Sequence, residues 1–365
     1  MIDYIVVGGG LSGMLVAREL AVAGARVTLL DKGELGREAS WAGGGILSPI
    51  SPWRYSDAVT ALSRWSQRRF PDFAAELAEE TGIDPEWLSS GFLIAEATET
   101  AEALSWAAHQ GMPVERLSAE GQVDLEPGLE TAGEGLWLPE VAQIRNPRLV
   151  KALARSLVLR GVDIKTETEA VSLAQQVDRV IGVRTRDEFL PAQGVVVTAG
   201  AWTAGLLGAL AADWHIAPVR GQMLLFRAAP GQVRHIVMRG GHYLVPRRDG
   251  RILAGSTLEY VGFDKSTTRE AYETLYAAAV DLIPSLADCP IEQHWAGLRP
   301  GSPQGIPLIG EHPALRGLYV NAGHFRNGVV TGPASARLLA DLILDRPPCI
   351  DPGPYRPAAP SIDSV

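Results

Sequence analysis

Asp3-Tyr-Ile-Val-Val-Gly8-Gly9-Gly10-Leu11-Ser12-Gly13 is the stretch on which the fold turns. An apolar strand runs into a glycine turn, then a helix to about Ala23, a second strand over Arg26–Leu30 and an acid at Asp31. The spacing is G-x-G-x-x-G, with the carboxylate 18 residues after the third glycine. Gly8 permits the tight turn, Gly10 admits a pyrophosphate close to the main chain, and Gly13 lets the helix pack against the strand. The helix start offers free N–H groups and positive dipole to phosphates, and Asp31 can hold a ribose diol. Glycines are common in turns, so the motif gains its weight from the strand, the helix, Gly24 and the spaced acid agreeing. The reading is a βαβ dinucleotide-binding unit.

At 365 residues the chain exceeds one ordinary domain, which suggests two interleaved ones. A hydrophobic share of 46% with 21% charged residues suits a soluble globular enzyme. The net charge of −9 argues against nucleic acid or an anionic membrane as partner. Cys289 and Cys349 are isolated, fitting a reducing compartment. The chain opens straight into the βαβ unit, without a signal-like segment, and has no apolar run long enough to span a membrane. A cytoplasmic location is the expectation. No metal-ligand spacing stands out.

Outward from the first unit, residues 38–47 are small and glycine-rich. Helical periodicity follows over 56–81 and 98–111, with Pro71 predicting a break or restart in the first. Asn146-Pro147 predicts a helix start with Asn146 as cap, running to Leu159 and ended by Gly161, with a strand near 163–167. Residues 194–200 read as a buried central strand. Between about 215 and 300 the texture changes to short alternating runs (223–227, 243–246, 251–256) separated by turns, as in an antiparallel sheet. An apolar strand at 317–321, a Gly-His-Phe-Arg-Asn-Gly segment and a helix to about Leu344 close the pattern, with an irregular Pro-rich end from Pro347. No internal repeat is evident.

Taken in order, these segments resemble the amino-acid oxidase family of flavoproteins, and within it the branch that oxidises glycine for thiamin thiazole synthesis. The carriers are Gly8–Gly13 with Asp31, Ser40–Leu47, Leu125-Glu-Pro127, Val195–Trp202 and Pro218-Val-Arg-Gly-Gln222. Tyr243-Leu-Val-Pro246, Trp295-Ala-Gly-Leu-Arg-Pro300 and Ala322–Gly328 complete the set. The resemblance implies an α/β fold: a Rossmann-like FAD-binding domain (1–52, 140–213, 305–350) interleaved with an α+β substrate domain on an antiparallel sheet (53–139, 214–304), then a tail (351–365). It implies noncovalent FAD. The N–H groups of Leu11 and Ser12 would face the pyrophosphate, Asp31 and Lys32 the adenosine ribose, and the Val171 backbone the adenine. Ser40, Gly44, Gly45 and Ile46 would lie along the flavin. His324, Phe325, Arg326, Asn327, Gly328, Val329 and Val330 would bring backbone N–H groups and a helix N-terminus to its N1–C2 carbonyl, where the reduced ring is negative.

An amino-acid substrate presents a carboxylate, which calls for a fixed bidentate cation, and Arg299 holds the matching position. Tyr243 can donate its hydroxyl to the same carboxylate, and Arg326 would lie near flavin and substrate. His242 departs from the family's pattern, which places histidine one position earlier, at Gly241, and Leu258 stands where a methionine is expected near the substrate. No cysteine lies where sarcosine oxidases attach flavin. The activity implied is hydride transfer from glycine to FAD N5, giving imine (glyoxylate and ammonia) and hydrogen peroxide, with O₂ as acceptor and a homo-oligomeric assembly. Competing readings are a D-amino-acid or sarcosine oxidase or dehydrogenase on the same scaffold, the FAD oxidoreductase of a tRNA-modifying enzyme, an NAD(P)-dependent dehydrogenase, or a non-catalytic FAD-binding protein.

Overall fold

A computed structural model describes residues 2–358, so 359–365 of the expected tail lie outside the described residues. The chain opens β1 (Ile2–Val7), α1 (Leu11–Val22), β2 (Val27–Leu30), the short α2 (Ala39–Ala42) and the long α3 (Asp57–Thr81). Then come β3 (Leu88–Ser89), β4 (Phe92–Ile94), α4 (Thr100–Gln110), β5 (Glu115–Leu117), α5 (Ala119–Leu125), β6 (Gly135–Leu138) and β7 (Ala142–Gln143). α6 (Asn146–Leu159) leads to β8 (Asp163–Lys165), β9 (Ser172–Gln176), β10 (Arg179–Arg184), β11 (Phe189–Val197) and α7 (Thr203–Leu207). β12 (Ala217–Arg227), β13 (Ile236–Arg239), β14 (His242–Pro246), β15 (Arg251–Gly255), α8 (Arg269–Leu282) and β16 (Ile291–Gly301) follow, and β17 (Leu308–Glu311), β18 (Leu318–Ala322) and α9 (Gly328–Ile343) end the regular structure.

One sheet runs β17-β18-β11-β1-β2-β8, parallel except for β17, with β9 and β10 as an antiparallel extension of β11. Apolar side chains cover both faces, as a parallel sheet requires. Leu15, Leu20, Leu153 and Leu339 from α1, α6 and α9 pack on one side, and Val183, Leu207 and Trp214 on the other. The second sheet, β16-β12-β15-β14-β13-β4-β6-β5, is antiparallel apart from the β13–β4 pair. α8 covers one of its faces through Leu275, Ala279 and Leu282. The α/β class and the antiparallel second sheet agree with the sequence.

Several details differ. α3 continues unbroken through the exposed Pro71, which removes one bond of the ladder, to the Gln67 carbonyl, without ending the helix. Although α3 lies inside the segment assigned to the substrate domain, its Leu62, Phe70 and Leu77 join the core with α1, α6 and α9. The cap of α6 is Arg145, not Asn146, whose Nδ2 donates instead to the Ser40 carbonyl (2.8 Å). The start of the tail is docked: Tyr355 is buried and donates its hydroxyl to Ala58 O (2.7 Å). No helix among the described residues is long and apolar enough to cross a membrane.

The contact between β1 and α1 sets the geometry. A Cβ on Gly13 would stand 1.9 Å from Gly8 O and 2.6 Å from Thr198 Oγ1. Gly13→Ala is therefore expected to lower unfolding free energy by about 1–3 kcal/mol, read as a lower denaturant midpoint. An unchanged midpoint would show that α1 can move away at little cost.

Candidate active site

The chain leaves β1 toward β2 and leaves the adjacent β11 toward β18, so the order reverses between these two strands and a crevice opens at their carboxyl ends. Gly8, at φ +109°, turns the chain there, and a Cβ on it would meet Thr198 O at 2.5 Å. Thr198 caps β1 by donating its hydroxyl to Gly8 O (2.8 Å). Gly10 precedes α1, and apart from Ser40 Oγ at 3.2 Å nothing outside its own chain neighbours crowds the space a Cβ would fill. Asp31, at the end of β2, accepts from Gly9 N (2.7 Å) and Gly33 N (2.9 Å). Its burial raises the carboxyl pKa against these two bonds. Each oxygen keeps a further lone pair for a ligand hydroxyl.

Two of the residues expected at the cofactor meet each other: Leu11 N–H donates to Ser40 Oγ at 2.8 Å. Ser40 therefore closes the start of α1. Lys32 Nζ sits 3.6 Å over the Trp202 ring, a cation–π contact. Val171 is exposed, and its N–H donates to Arg184 O (2.8 Å). The neighbouring Thr168 N–H donates to Asp31 O (2.8 Å), which places this segment beside the acid.

The glycine run is a rigid bend. Gly45 lies at φ +73°, where a Cβ would meet Ile144 O at 1.9 Å, and a Cβ on Gly44 would meet Tyr243 Cε2 at 3.1 Å. Gly45 O accepts from Ile144 N (2.8 Å), and Ile46 bridges to Gln143. The run thus wedges between α6 and the second sheet.

On that sheet the pleat decides what faces the run. Cross-strand partners Tyr243, Gly255, Met223 and Trp295 form one row, Gly221 and Gly297 the next, and Val219 and Arg299 the third. Partners in a row, and residues two apart along a strand, share a face. Glycines make the room: a Cβ on Gly221 would stand 2.1 Å from Arg299 Nη1, and one on Gly297 2.5 Å from Ala42 Cβ. The resulting cleft spans about 680 Å³, solvent at its open side included, and is lined by Gly43–Gly45, Ile46, Met223, Tyr243, Arg299, Arg326, Asn327 and Val329, among others.

Arg299 donates to Thr257 O (3.1 Å), Arg220 O (3.4 Å) and Ser256 Oγ (2.7 Å), all uncharged acceptors. No carboxylate among the described residues pairs with Arg299 or Arg326, and none lines the cleft. Burial pulls the Arg299 pKa down, partly offset by Tyr243. Two guanidiniums at a cleft without an acid can bind an organic anion. Asn327, before α9, lines the same cleft with its buried Nδ2 unpartnered, a donor waiting for an acceptor. Gly328, Val329 and Val330 form the first turn of α9, whose N–H groups have no intrahelical acceptor. The orphan amide, the open Gly10 side and the crowded Gly8 and Gly13 together fit a flat ring carrying carbonyl acceptors joined to a pyrophosphate. Among the described residues, no cluster of three or more His, Cys, Asp or Glu suits a metal.

Neither His242 nor His324 lines the cleft. His324 is buried, with Nε2 2.7 Å from Asn321 Oδ1 and Nδ1 3.0 Å from Thr331 Oγ1, so it joins β18 to α9. His242 shares the Leu244 face of β14, toward α8, one residue out of step with Tyr243. Phe325, at φ +47°, donates its N–H to Pro300 O (2.8 Å) and positions the turn. Leu258 is 46% exposed and does not line the cleft, and the methionine that does is Met223. The sequence gives no role at the cleft to Met223, Gly221, Gly297 or Arg247, and marks Asn146 only as a helix cap. Gly221, two positions before Met223 in β12, and Gly297, two positions before Arg299 in β16, were the available signal.

Burial without a counter-ion pushes the His324 pKa down from 6.5 to about 4. Between those values the unfolded chain holds a proton that the fold does not. The stabilisation is therefore complete above pH 6.5 and is lost as pH falls toward 4. Replacing His324 with Gln should flatten the stability–pH curve across that window by up to one proton, about 1.4 kcal/mol per pH unit. Superimposable curves from denaturant titrations would refute this.

Residues 3–342 match the profile of the DAO family, FAD dependent oxidoreductase. The chain is 48% identical over 356 residues to a glycine oxidase of Pseudomonas aeruginosa, covering 97% of this chain and 98% of that protein. A bifunctional protein ThiO/ThiG of Nostoc is 31% identical over 94% of this chain, which spans 53% of that longer protein. The crystal structure of glycine oxidase from Geobacillus kaustophilus superimposes with a TM-score of 0.92 at 30% identity, covering 97% of each chain. On this footing the chain belongs to the FAD dependent oxidoreductase (DAO) family, the amino-acid oxidase flavoproteins.

Proposed function

We propose that this protein oxidises glycine, and that its product feeds thiamin thiazole synthesis. The observation that carries the reading is Arg299, a guanidinium facing a small cleft with no acid to neutralise it. The relatives named glycine oxidase, 46–48% identical over nearly the whole chain, support glycine as substrate. The fused ThiO/ThiG relative supports the thiazole assignment. Molecular oxygen as acceptor, a homo-oligomeric assembly and a cytoplasmic location belong to the same proposal.

FAD, when bound, supplies a two-electron acceptor for the α-hydrogen as hydride and an outlet for the electrons to oxygen, which leaves as hydrogen peroxide. In this reading Gly8, Gly10, Leu11, Ser12, Gly13, Asp31 and Lys32 hold its nucleotide end, with Val171 at the adenine. Ser40, Gly44, Gly45, Ile46 and residues 324–330 hold the ring. Arg299 grips the substrate carboxylate bidentately and Tyr243 donates its hydroxyl to it, which fixes Cα in one orientation. Arg326 adds a second positive charge, and both cations disfavour a bound ammonium, so the amine enters the reaction neutral. No His, Asp, Glu or Lys lines the cleft, so the amine proton leaves to solvent and not to a side-chain base. The imine is hydrolysed to glyoxylate and ammonia, or passed on.

Anaerobic addition of glycine to the purified flavoprotein should bleach the oxidised-flavin spectrum promptly. Bleaching by sarcosine or D-alanine but not by glycine would overturn the substrate assignment. Arg299→Gln should lower kcat/KM for glycine by roughly 30- to 1,000-fold, about 2–4 kcal/mol. Lysine at the same position should restore only part of this, because it lacks the planar fork. Wild-type kinetics in Arg299→Gln would remove Arg299 from the carboxylate.

A further inference from the structure

Arg247 is a buried cation that the reaction above does not use. It follows β14, and its guanidinium reaches the glycine run: Nη2 donates to Gly44 O (2.8 Å) and Nη1 to Gln143 Oε1 (2.6 Å) and Ile144 O (3.2 Å). Nε has no partner, and no carboxylate among the described residues pairs with the group. The nearest charges, Arg145, Glu86 and Asp249, pair with one another. Desolvation lowers its pKa to about 10, which leaves it charged at neutral pH. Burying a cation among neutral acceptors is costly, and a neutral amide could tie these carbonyls together at less cost. The charge therefore calls for a purpose beyond stapling. Its Gly44 contact supplies one. The acceptor is the carbonyl of a peptide that forms the wall of the cleft, and a cation on that carbonyl polarises the Gly45 N–H of the same peptide as a donor.

We propose that Arg247 is a positioning residue for the cofactor: through the Gly44 carbonyl it fixes the glycine run and holds positive potential at the ring-facing wall, which favours the reduced, more negative flavin. The inference rests on the assignment of this cleft to the flavin and not on glycine as the substrate. Its test therefore uses neither glycine nor turnover.

The holoenzyme is equilibrated anaerobically with a reference redox dye at pH 7, and the ratio of reduced to oxidised flavin is read from the spectrum. In Arg247→Gln this ratio should fall at least tenfold at fixed dye potential, about 30 mV for two electrons. Gln143→Glu should produce a similar fall, because the new carboxylate neutralises the guanidinium in place while keeping its hydrogen bond. Arg247→Lys should stay within about threefold of the native ratio. If Arg247→Gln does not hold FAD, the other two variants decide. A Gln143→Glu protein with native melting temperature and an unchanged ratio would overturn the proposal. So would an Arg247→Lys ratio that falls as far as that of Gln143→Glu, since loss of the fork alone would then explain it. A native protein that binds no flavin would overturn this inference and the reading of the cleft together.

Discussion

The structure depends on one close approach. At Gly13 the axis of α1 comes so near β1 that a methyl group would overlap the Gly8 carbonyl. That approach brings the first turn of α1 to the strand ends, where Thr198 at the end of β11 ties the two strands through its hydroxyl. β18 ends in the same layer and delivers the turn that starts α9. Two helix N-termini and three strand ends thus converge on one crevice. A side chain at Gly8 or Gly13 would push the layers apart, and the anion-binding geometry would go with them.

The substrate side uses the same device in an antiparallel sheet. Glycines at 221, 255 and 297 leave a hollow on the face that carries Tyr243, Met223 and Arg299. Arg299 lies over Gly221, while α2 settles on Gly297 and is held there by Trp295 Nε1 on Ala42 O (3.1 Å). The ring end of the cofactor cleft and the anion site are therefore joined by missing side chains, not by a flexible hinge. The excursion after β15 is pinned to the first sheet's side by Lys265 on Glu38 (2.9 Å), and Arg220 holds it from beneath through Glu259 and Asp264.

The first βαβ unit was legible because its turn, spacing and acid are local, and local constraints leave their mark within thirty residues. The second sheet was legible as texture but not as pairing, since cross-strand partners such as Val219 and Arg299 lie 80 residues apart. His242 shows the limit of residue type as a guide: its place on the α8 face follows from the strand's period, fixed by where Tyr243 must point. Pro71 misleads because it costs one bond of the ladder, while the buried side of α3 runs on across it through Ser66, Phe70, Ala74 and Leu77. Asn146 looks like a cap, yet its amide serves Ser40, a contact across 106 positions that no helix rule contains. Arg247 was hidden for a related reason, since nothing in sequence distinguishes a buried cation from the surface arginines beside it.

The arrangement of charge completes the reasoning. The chain carries a net charge of −9, so carboxylates are not scarce, yet none stands in the cleft. They are engaged elsewhere: Glu86 and Asp249 on Arg145, Glu292 on Arg227 and Arg251, Glu80 on Arg18 and Arg160. Against that background Arg299 and Arg326 in the cleft and Arg247 behind its wall have no acidic partner among the described residues. A protein with acids to spare that leaves three guanidiniums unmatched around one hollow carries a standing electrostatic cost there. In the proposed reading bound anions relieve it: a substrate carboxylate for the two arginines in the cleft, and the electron-rich reduced ring for the one behind its wall. On that proposal the positive field that attracts a carboxylate also disfavours a cationic amine, so binding and activation of the substrate would follow from one distribution of charge.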